Sequence, residues 1–180
     1  MRGGALLPFG GDVIMKSMKY YGKKETIEFL NARGIHYELR EHPAVYTVAE
    51  AEALGLPHPE ASAKNLFLRD DKKRNYYLVT AWEHTAVNLK NLRAVLGARP
   101  LSFASPADLA AILGLLPGSV TPLGILNDEA CRVEVLLDSV LKDRLVAMHP
   151  NENTATLWMQ EKDLEKLVRE HGNPYRYIDF

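Results

Sequence analysis

The chain has 180 residues, 47% apolar and 25% charged, the balance of one soluble globular domain, which excludes a disordered chain. A single cysteine excludes an internal disulfide framework and an all-cysteine zinc site. The longest uncharged apolar run, Leu109 to Leu116, falls far short of the ~20 residues a bilayer requires, and Pro117-Gly118 ends it.

The net charge of −1 gives no whole-molecule attraction to polyanions. Its distribution is uneven: residues 61–100 carry eight basic and three acidic residues, net +5. On charge alone, a solvated hairpin turn at Asp70-Asp71-Lys72-Lys73-Arg74-Asn75 accounts for the excess. Residues 1–17 are Gly-rich and irregular and lack the pattern of an export signal, so they read as an extension outside a domain spanning 18–180. The lone Cys131 suits a reducing cytoplasm.

In chain order, the first predicted helix is Lys23 to Arg33, stopped by Gly34. Ile35 to Leu39 alternates like a half-buried strand. Thr47-Val48-Ala49-Glu50 has the form of a capping box before a short helix that Gly55 ends. Asn65 to Arg69 and Tyr76 to Trp82 read as two strands around the charged turn. Asn88 caps a helix that Gly97 terminates. Leu101 to Ala104 is a short strand, and Ser105-Pro106-Ala107-Asp108 opens a further helix with Pro at its first position. Strands follow at Arg132 to Leu137, Arg144 to Met148 and Thr154 to Met159, with Cys131 placed in the first of these. A helix at Lys162 to Glu170 and a closing strand at Arg176 to Phe180 complete the chain. Irregular interleaving of strands and helices predicts an α+β, or mixed α/β, single domain: one central mixed sheet surrounded by helices.

No glycine-rich phosphate cradle, paired-histidine zinc motif or serine elbow is written in the chain. No cofactor or metal is expected. Four local patterns remain, each with a plain structural account. Lys64 heads an apolar strand, where its ammonium can hold a phosphate or simply keep its head in water. Gly118-Ser119-Val120-Thr121-Pro122 can bring backbone amides close to a ligand, or serve as a turn. His149 opens a polar loop, Pro150 to Thr156, that also reads as a hairpin connection with a left-handed Asn. His42-Pro43 precedes Thr47, whose capping role is sufficient in itself.

Together these segments, in the order His42-Pro43, Thr47 to Ala51, Lys64 to Leu68, Leu101 to Pro106, Gly118 to Pro122 and His149 to Thr156, resemble the YbaK/ProRS-associated domain family, and within it the free-standing prolyl-tRNA editing branch of the PrdX or ProX type. The resemblance runs from about Tyr20 to the C-terminus. It implies hydrolysis of mischarged tRNA, for this branch alanine on tRNA(Pro), by a trans-acting editor that meets the tRNA acceptor end and has prolyl-tRNA synthetase as a candidate partner, with no membrane role. It also implies the site. Lys64 would grip the terminal adenosine, and Asn65 would orient that contact or a water. The amides around Gly118, Ser119, Val120 and Thr121, with Pro122, would bind the aminoacyl group. His149 would line the pocket, with Thr47 as a further lining residue. Physical chemistry agrees with such a task. A pocket for proline discriminates against alanine by only about 1–3 kcal/mol per methylene, so a second, smaller hydrolytic site is needed. An activated ester positioned beside water can gain roughly 7–11 kcal/mol from placement alone. A cysteine- or serine-directed specificity, and a binding module without turnover, are the competing readings.

Overall fold

The computed structural model describes residues 20–45, 50 and 53–180. Its architecture follows from where continuous and alternating apolar runs fall. The chain order is α1 (Lys23–Ala32), β1 (Tyr37–Glu41), a 3-10 turn (Pro59–Ala61), β2 (Ala63–Asp70), β3 (Tyr76–Trp82), α2 (Leu89–Leu96), β4 (Leu101–Phe103) and α3 (Pro106–Leu113). A 3-10 segment (Pro122–Asn127), β5 (Val133–Asp138), a 3-10 turn (Ser139–Leu141), β6 (Leu145–Met148), β7 (Ala155–Gln160), α4 (Glu161–His171) and β8 (Tyr175–Ile178) follow.

Mixed α/β organisation is as expected, but there are two sheets rather than one. A five-stranded mixed sheet has the order β4-β2-β3-β5-β8, and a three-stranded antiparallel sheet the order β1-β7-β6. β3 pairs antiparallel with β2 and parallel with β5, and β5 pairs parallel with β8. β3 and β5 bury almost every residue, as β7 does in the small sheet, which is why they read as unbroken apolar runs rather than alternating ones. One face of the large sheet, through Phe67, Leu78, Val135 and Leu137, shares the main core with Val146, Met148, Leu157 and Met159 of the small sheet. Its opposite face, through Leu68, Tyr77, Val79, Ala81 and Leu136, packs with Leu92 of α2 and Ile178.

Local signals set the helix ends. The Asn88 side chain accepts from the Lys90 and Asn91 amides, and Gly97 closes α2 in the left-handed region. Ser105 and Asp108 form a reciprocal capping box at α3. Three expectations need correction. The first strand starts at Tyr37 and the last ends at Ile178. Cys131 precedes β5 in a left-handed turn, φ +49°, instead of lying in a strand. The proposed extension, residues 1–17, and the Thr47 capping box fall outside the described residues.

The charged hairpin turn is organised by Asp70, a fully buried carboxylate. It accepts from the Lys72 amide at 3.0 Å, the Arg74 amide at 2.9 Å and Asn75 Nδ2 at 2.6 Å. Burial acts to raise its pKa, and the hydrogen bonds from Arg74, Asn75 and Lys72 outweigh that and hold it below its ordinary value of 3.8. Two consequences can be measured by urea unfolding. Asp70→Ala strands these donors and should cost about 2 kcal/mol. The Asp70 contribution should be complete above pH 3.8 and disappear as the pH falls through the lower folded-state value, so Asp70→Asn should be less acid-sensitive than the parent chain. Identical acid sensitivity of the two would refute the assignment.

Candidate functional site

The expected site residues lie on three segments, the glycine turn, the β6–β7 hairpin and the head of β2, of which the first two are joined by a hydrogen bond. Gly118 takes φ +87°, a conformation that a side chain would strain, and this lets the chain double back after α3. The Ser119 amide closes the turn onto Leu116 O at 3.0 Å. Among the described residues no group accepts from the Gly118, Val120 or Thr121 amides. Thr121, fully buried, donates its hydroxyl to His149 O at 2.7 Å and accepts from the Leu123 amide. Pro122 then starts the buried 3-10 segment. Glycine is required again at Gly124, where a Cβ would lie 2.7 Å from Leu115 Cδ1.

His149 stands one residue beyond the last β6–β7 pair, Met148 with Leu157. Its Nδ1 lies 2.9 Å from Ala155 O. A carbonyl only accepts, so Nδ1 carries the proton and Nε2 is left as the lone-pair nitrogen. Burial pushes the His149 pKa below its ordinary value, opposed by the Ala155 carbonyl and reinforced by nearby His42. The His42 and His149 rings are 6.3 Å apart. The loop is pinned from behind: Asn151, left-handed as expected of an Asn here, donates to Tyr21 O, and Asn127 brackets the same Tyr21 backbone. Asn153 donates to Val45 O.

Lys64 and Asn65 are neighbours in sequence and leave β2 on opposite faces. Asn65 shares the face of Ala63 and Phe67, toward the main core, and lies opposite Thr80. The Thr80 hydroxyl donates to Asn65 Oδ1 at 2.8 Å, which leaves the Asn65 NH2 group as a fixed pair of donors. Lys64 shares the face of Leu66 and Leu68, and its Nζ donates to Glu83 O at 2.9 Å at the end of the sheet. The structure therefore brings Thr121 and His149 into direct contact. It sets Asn65 on the core side of β2, a strand that β6 contacts, and it does not put the Lys64 ammonium on that side. Thr47 is among the residues left undescribed.

Part of the positive charge is paired internally. Arg99 makes a two-pronged ion pair with Asp71, and Arg69 and Lys73 lie 3.8 and 3.5 Å from Asp108. Lys64, Lys72, Arg74, Lys90 and Arg93 remain without an ion pair among the described residues. The turn that carries Lys72 and Arg74 is about 20 Å from Lys64, the length of β2. Burial, with Asp128 adding to it, pushes the Cys131 thiol up, and its nearest partners are His171 O at 3.6 Å and His171 Nδ1 at 3.9 Å, the latter already bonded to Asn173. Cys131 is thus no activated nucleophile. Two surface hollows, one between α1 and α4 beside Phe29 and Leu167 and one beside Leu92 and Phe180, are lined by none of the expected site residues. Among the described residues no three acidic, histidine or cysteine side chains converge to hold a metal ion, and no helix is long and apolar enough to cross a membrane.

Sequence reasoning missed Thr80, Thr156 and the part played by His42. Thr80 was detectable as the one aliphatic hydroxyl in the apolar run of β3, in register with Asn65. The Thr156–His42 contact spans 114 residues and has no local signal.

Residues 42–167 match the model of the aminoacyl-tRNA editing domain. The prolyl-tRNA editing protein ProX of Acetoanaerobium sticklandii is 43% identical over 158 residues, covering 87% of this chain and 96% of that protein. The mouse prolyl-tRNA synthetase associated domain-containing protein 1 is 33% identical over 167 residues, covering 88% and 96%. A crystal structure provisionally described as a trans-editing enzyme for prolyl tRNA synthetase superposes with a TM-score of 0.65 at 22% identity, covering 90% of this chain and 99% of that one, a likeness of fold alone. With the family pattern spanning well over half its length and a ProX relative aligned almost end to end, the chain belongs to the aminoacyl-tRNA editing domain family.

Proposed function

We propose that this chain is a free-standing deacylase that hydrolyses the ester of mischarged tRNA(Pro), with alanine as the amino acid removed. The observation that carries the reading is the pair of uncommitted amides at Val120 and Thr121, held against the His149 loop by the buried Thr121 hydroxyl. Such amides are suited to a carbonyl oxygen that gains negative charge when water attacks the ester carbon.

The remaining roles follow from the chemistry each group can still offer. The Asn65 NH2 donors, fixed by Thr80, hold the ester or its attacking water. Neutral His149 lines the pocket with an acceptor rather than a charge. Lys64, at the sheet end, exchanges the Glu83 carbonyl for a phosphate or ribose oxygen of the terminal adenosine. Thr47 completes the lining. The substrate is already an activated ester, so alignment with water supplies the larger part of the rate, and the ribose 2′-hydroxyl can relay the proton to the leaving 3′-oxygen. Lys72, Arg74 and Lys90 supply loose, sequence-independent contacts to the acceptor-stem phosphates, and prolyl-tRNA synthetase is the partner from which the mischarged tRNA is received.

Four measurements test this reading. Against a panel of Ala-, Cys-, Ser- and Pro-tRNA(Pro), the chain should deacylate the alanyl ester fastest and spare the prolyl ester. Lys64→Ala should lower kcat/KM about 10–100-fold, the equivalent of a charge-assisted hydrogen bond of about 1.5–3 kcal/mol. An unreactive parent chain would leave only a binding module, and a fully active Lys64→Ala would remove Lys64 from its role. Raising salt from about 50 to 200 mM should raise KM about tenfold, the slope of two neutralised phosphates, and a KM indifferent to salt would exclude the basic contacts. Because the folded-state pKa of His149 is lowered, its neutral form outlasts the ordinary value of 6.5. The rate should therefore hold as the pH falls to 6.5 and decline only below it, an acid limb that His149→Gln should abolish.

A further inference from the structure

His42 lies one residue past β1, where its amide donates to Thr154 O at 3.0 Å. Its Nδ1 is 2.8 Å from Pro43 O, so Nδ1 carries the proton and Nε2 holds the lone pair. That Nε2 is 2.9 Å from Thr156 Oγ and therefore accepts the Thr156 proton. A hydroxyl has one proton to give, so Thr156 Oγ meets any other group as an acceptor only. The same reasoning leaves His149 Nε2 as an acceptor, without a partner among the described residues. Thr156 immediately precedes Leu157, the residue paired with Met148, so the antiparallel register places it across from His149 at the mouth of the hairpin. Two proton-poor acceptors thus lie across the hairpin from each other, with Thr121 bonded to the His149 carbonyl, and among the described residues no donor answers them. Arg40, the cross-strand neighbour of Thr156, extends its guanidinium to Glu38 at 3.4 Å.

The group that fits is a compact donor with several N–H bonds. An amino acid esterified to ribose has lost its carboxylate, and its one charged group is the α-ammonium. We propose that Thr156 Oγ and His149 Nε2 form the subsite for the α-ammonium of the esterified amino acid, with His42 the positioning residue that keeps Thr156 an acceptor. The inference rests on the aminoacyl-ester reading above and adds to it a requirement for a free α-amino group. Aminoacyl esters with a blocked nitrogen, such as an N-acylated initiator or a peptidyl-tRNA, are then rejected by chemistry as well as by size. Burying the acceptors against an amide nitrogen that cannot supply the same donors leaves them unpaired.

The test uses a stable probe, so that binding is read without turnover. An acceptor-stem microhelix of tRNA(Pro) ending in 3′-amino-3′-deoxyadenosine is acylated through an amide with alanine or with N-acetylalanine. Calorimetry on the full chain should show the free amine bound about 10–100-fold more tightly, the range of a charge-assisted hydrogen bond. His42→Ala and Thr156→Val should cut that preference to a few-fold while the affinity for the acetylated probe stays unchanged. His42→Gln, which offers an amide oxygen near the same place, should keep most of it. Imidazole 15N shifts should report the Nδ1–H tautomer for both histidines. Equal affinity of the parent chain for the two probes would overturn the proposal, as would His42→Ala weakening both probes alike or an Nε2–H tautomer at His42. A parent chain that prefers the free amine yet leaves the alanyl ester intact would sustain the subsite and refute the deacylase reading.

Discussion

The buried hydroxyl of Thr121 ties together the two parts of the molecule on which the site depends. It donates to His149 O and accepts from the Leu123 amide, so its hydrogen-bonding capacity is spent between the glycine turn and the β6–β7 hairpin. The two parts come from different layers. The turn continues from α3 into the 3-10 segment that packs in the main core, and the hairpin belongs to the three-stranded sheet. A buried polar group of this kind has no alternative partner in water, so the bond fixes the spacing of the layers as well as the loop. The Val120 and Thr121 amides and the His149 ring then keep a constant relation, which positioning catalysis needs more than it needs any single strong acid or base.

A second organising feature is the alternation of β2. Lys64 and Asn65 face away from each other, and each is oriented by a group on the adjoining β3 region: Lys64 by the Glu83 carbonyl, Asn65 by the Thr80 hydroxyl. The head of one strand in this way presents a cation at the sheet end and an amide on the core side. Both residues are half-buried, the ammonium with its stem along the sheet and the neutral amide facing the main core. Backbone carbonyls at Ala155 and Pro43 accept from Nδ1 of the His149 and His42 rings and so orient each Nε2, and at His149 burial favours the neutral ring.

Much of this was legible before any coordinates. Helix limits were written in short-range chemistry: Asn88 and Gly97 around α2, Ser105 with Asp108 at α3, Gly34 after α1. The hairpin at Asp70 to Asn75 and the left-handed Asn151 followed from turn chemistry. The ordered set of motifs identified the family. Other features were not legible. The small sheet joins β1 to β7 across more than a hundred residues, so a single sheet was the simpler expectation. Cys131 was placed in a strand because its neighbours are strand-like, whereas its backbone turns left-handed so that Asp128 can accept from the Val133 amide. The net +5 of residues 61–100 did not show which cations are free: folding pairs Arg99 with Asp71 and sets Arg69 and Lys73 beside Asp108.

What the sequence determined by itself were the features governed within a few residues: caps, turns, buried strands and the alternation that sends Lys64 and Asn65 to opposite sides. Tertiary structure decided which layer each of those sides meets, which cations are already paired and which histidine nitrogen keeps its proton. Apart from the His42 tautomer, set by its neighbour Pro43, those outcomes depend on groups separated in sequence, such as His149 with Ala155 and Arg69 with Asp108. The direction of a hydrogen bond is set by the partner that packing supplies, and a linear pattern carries no record of that partner.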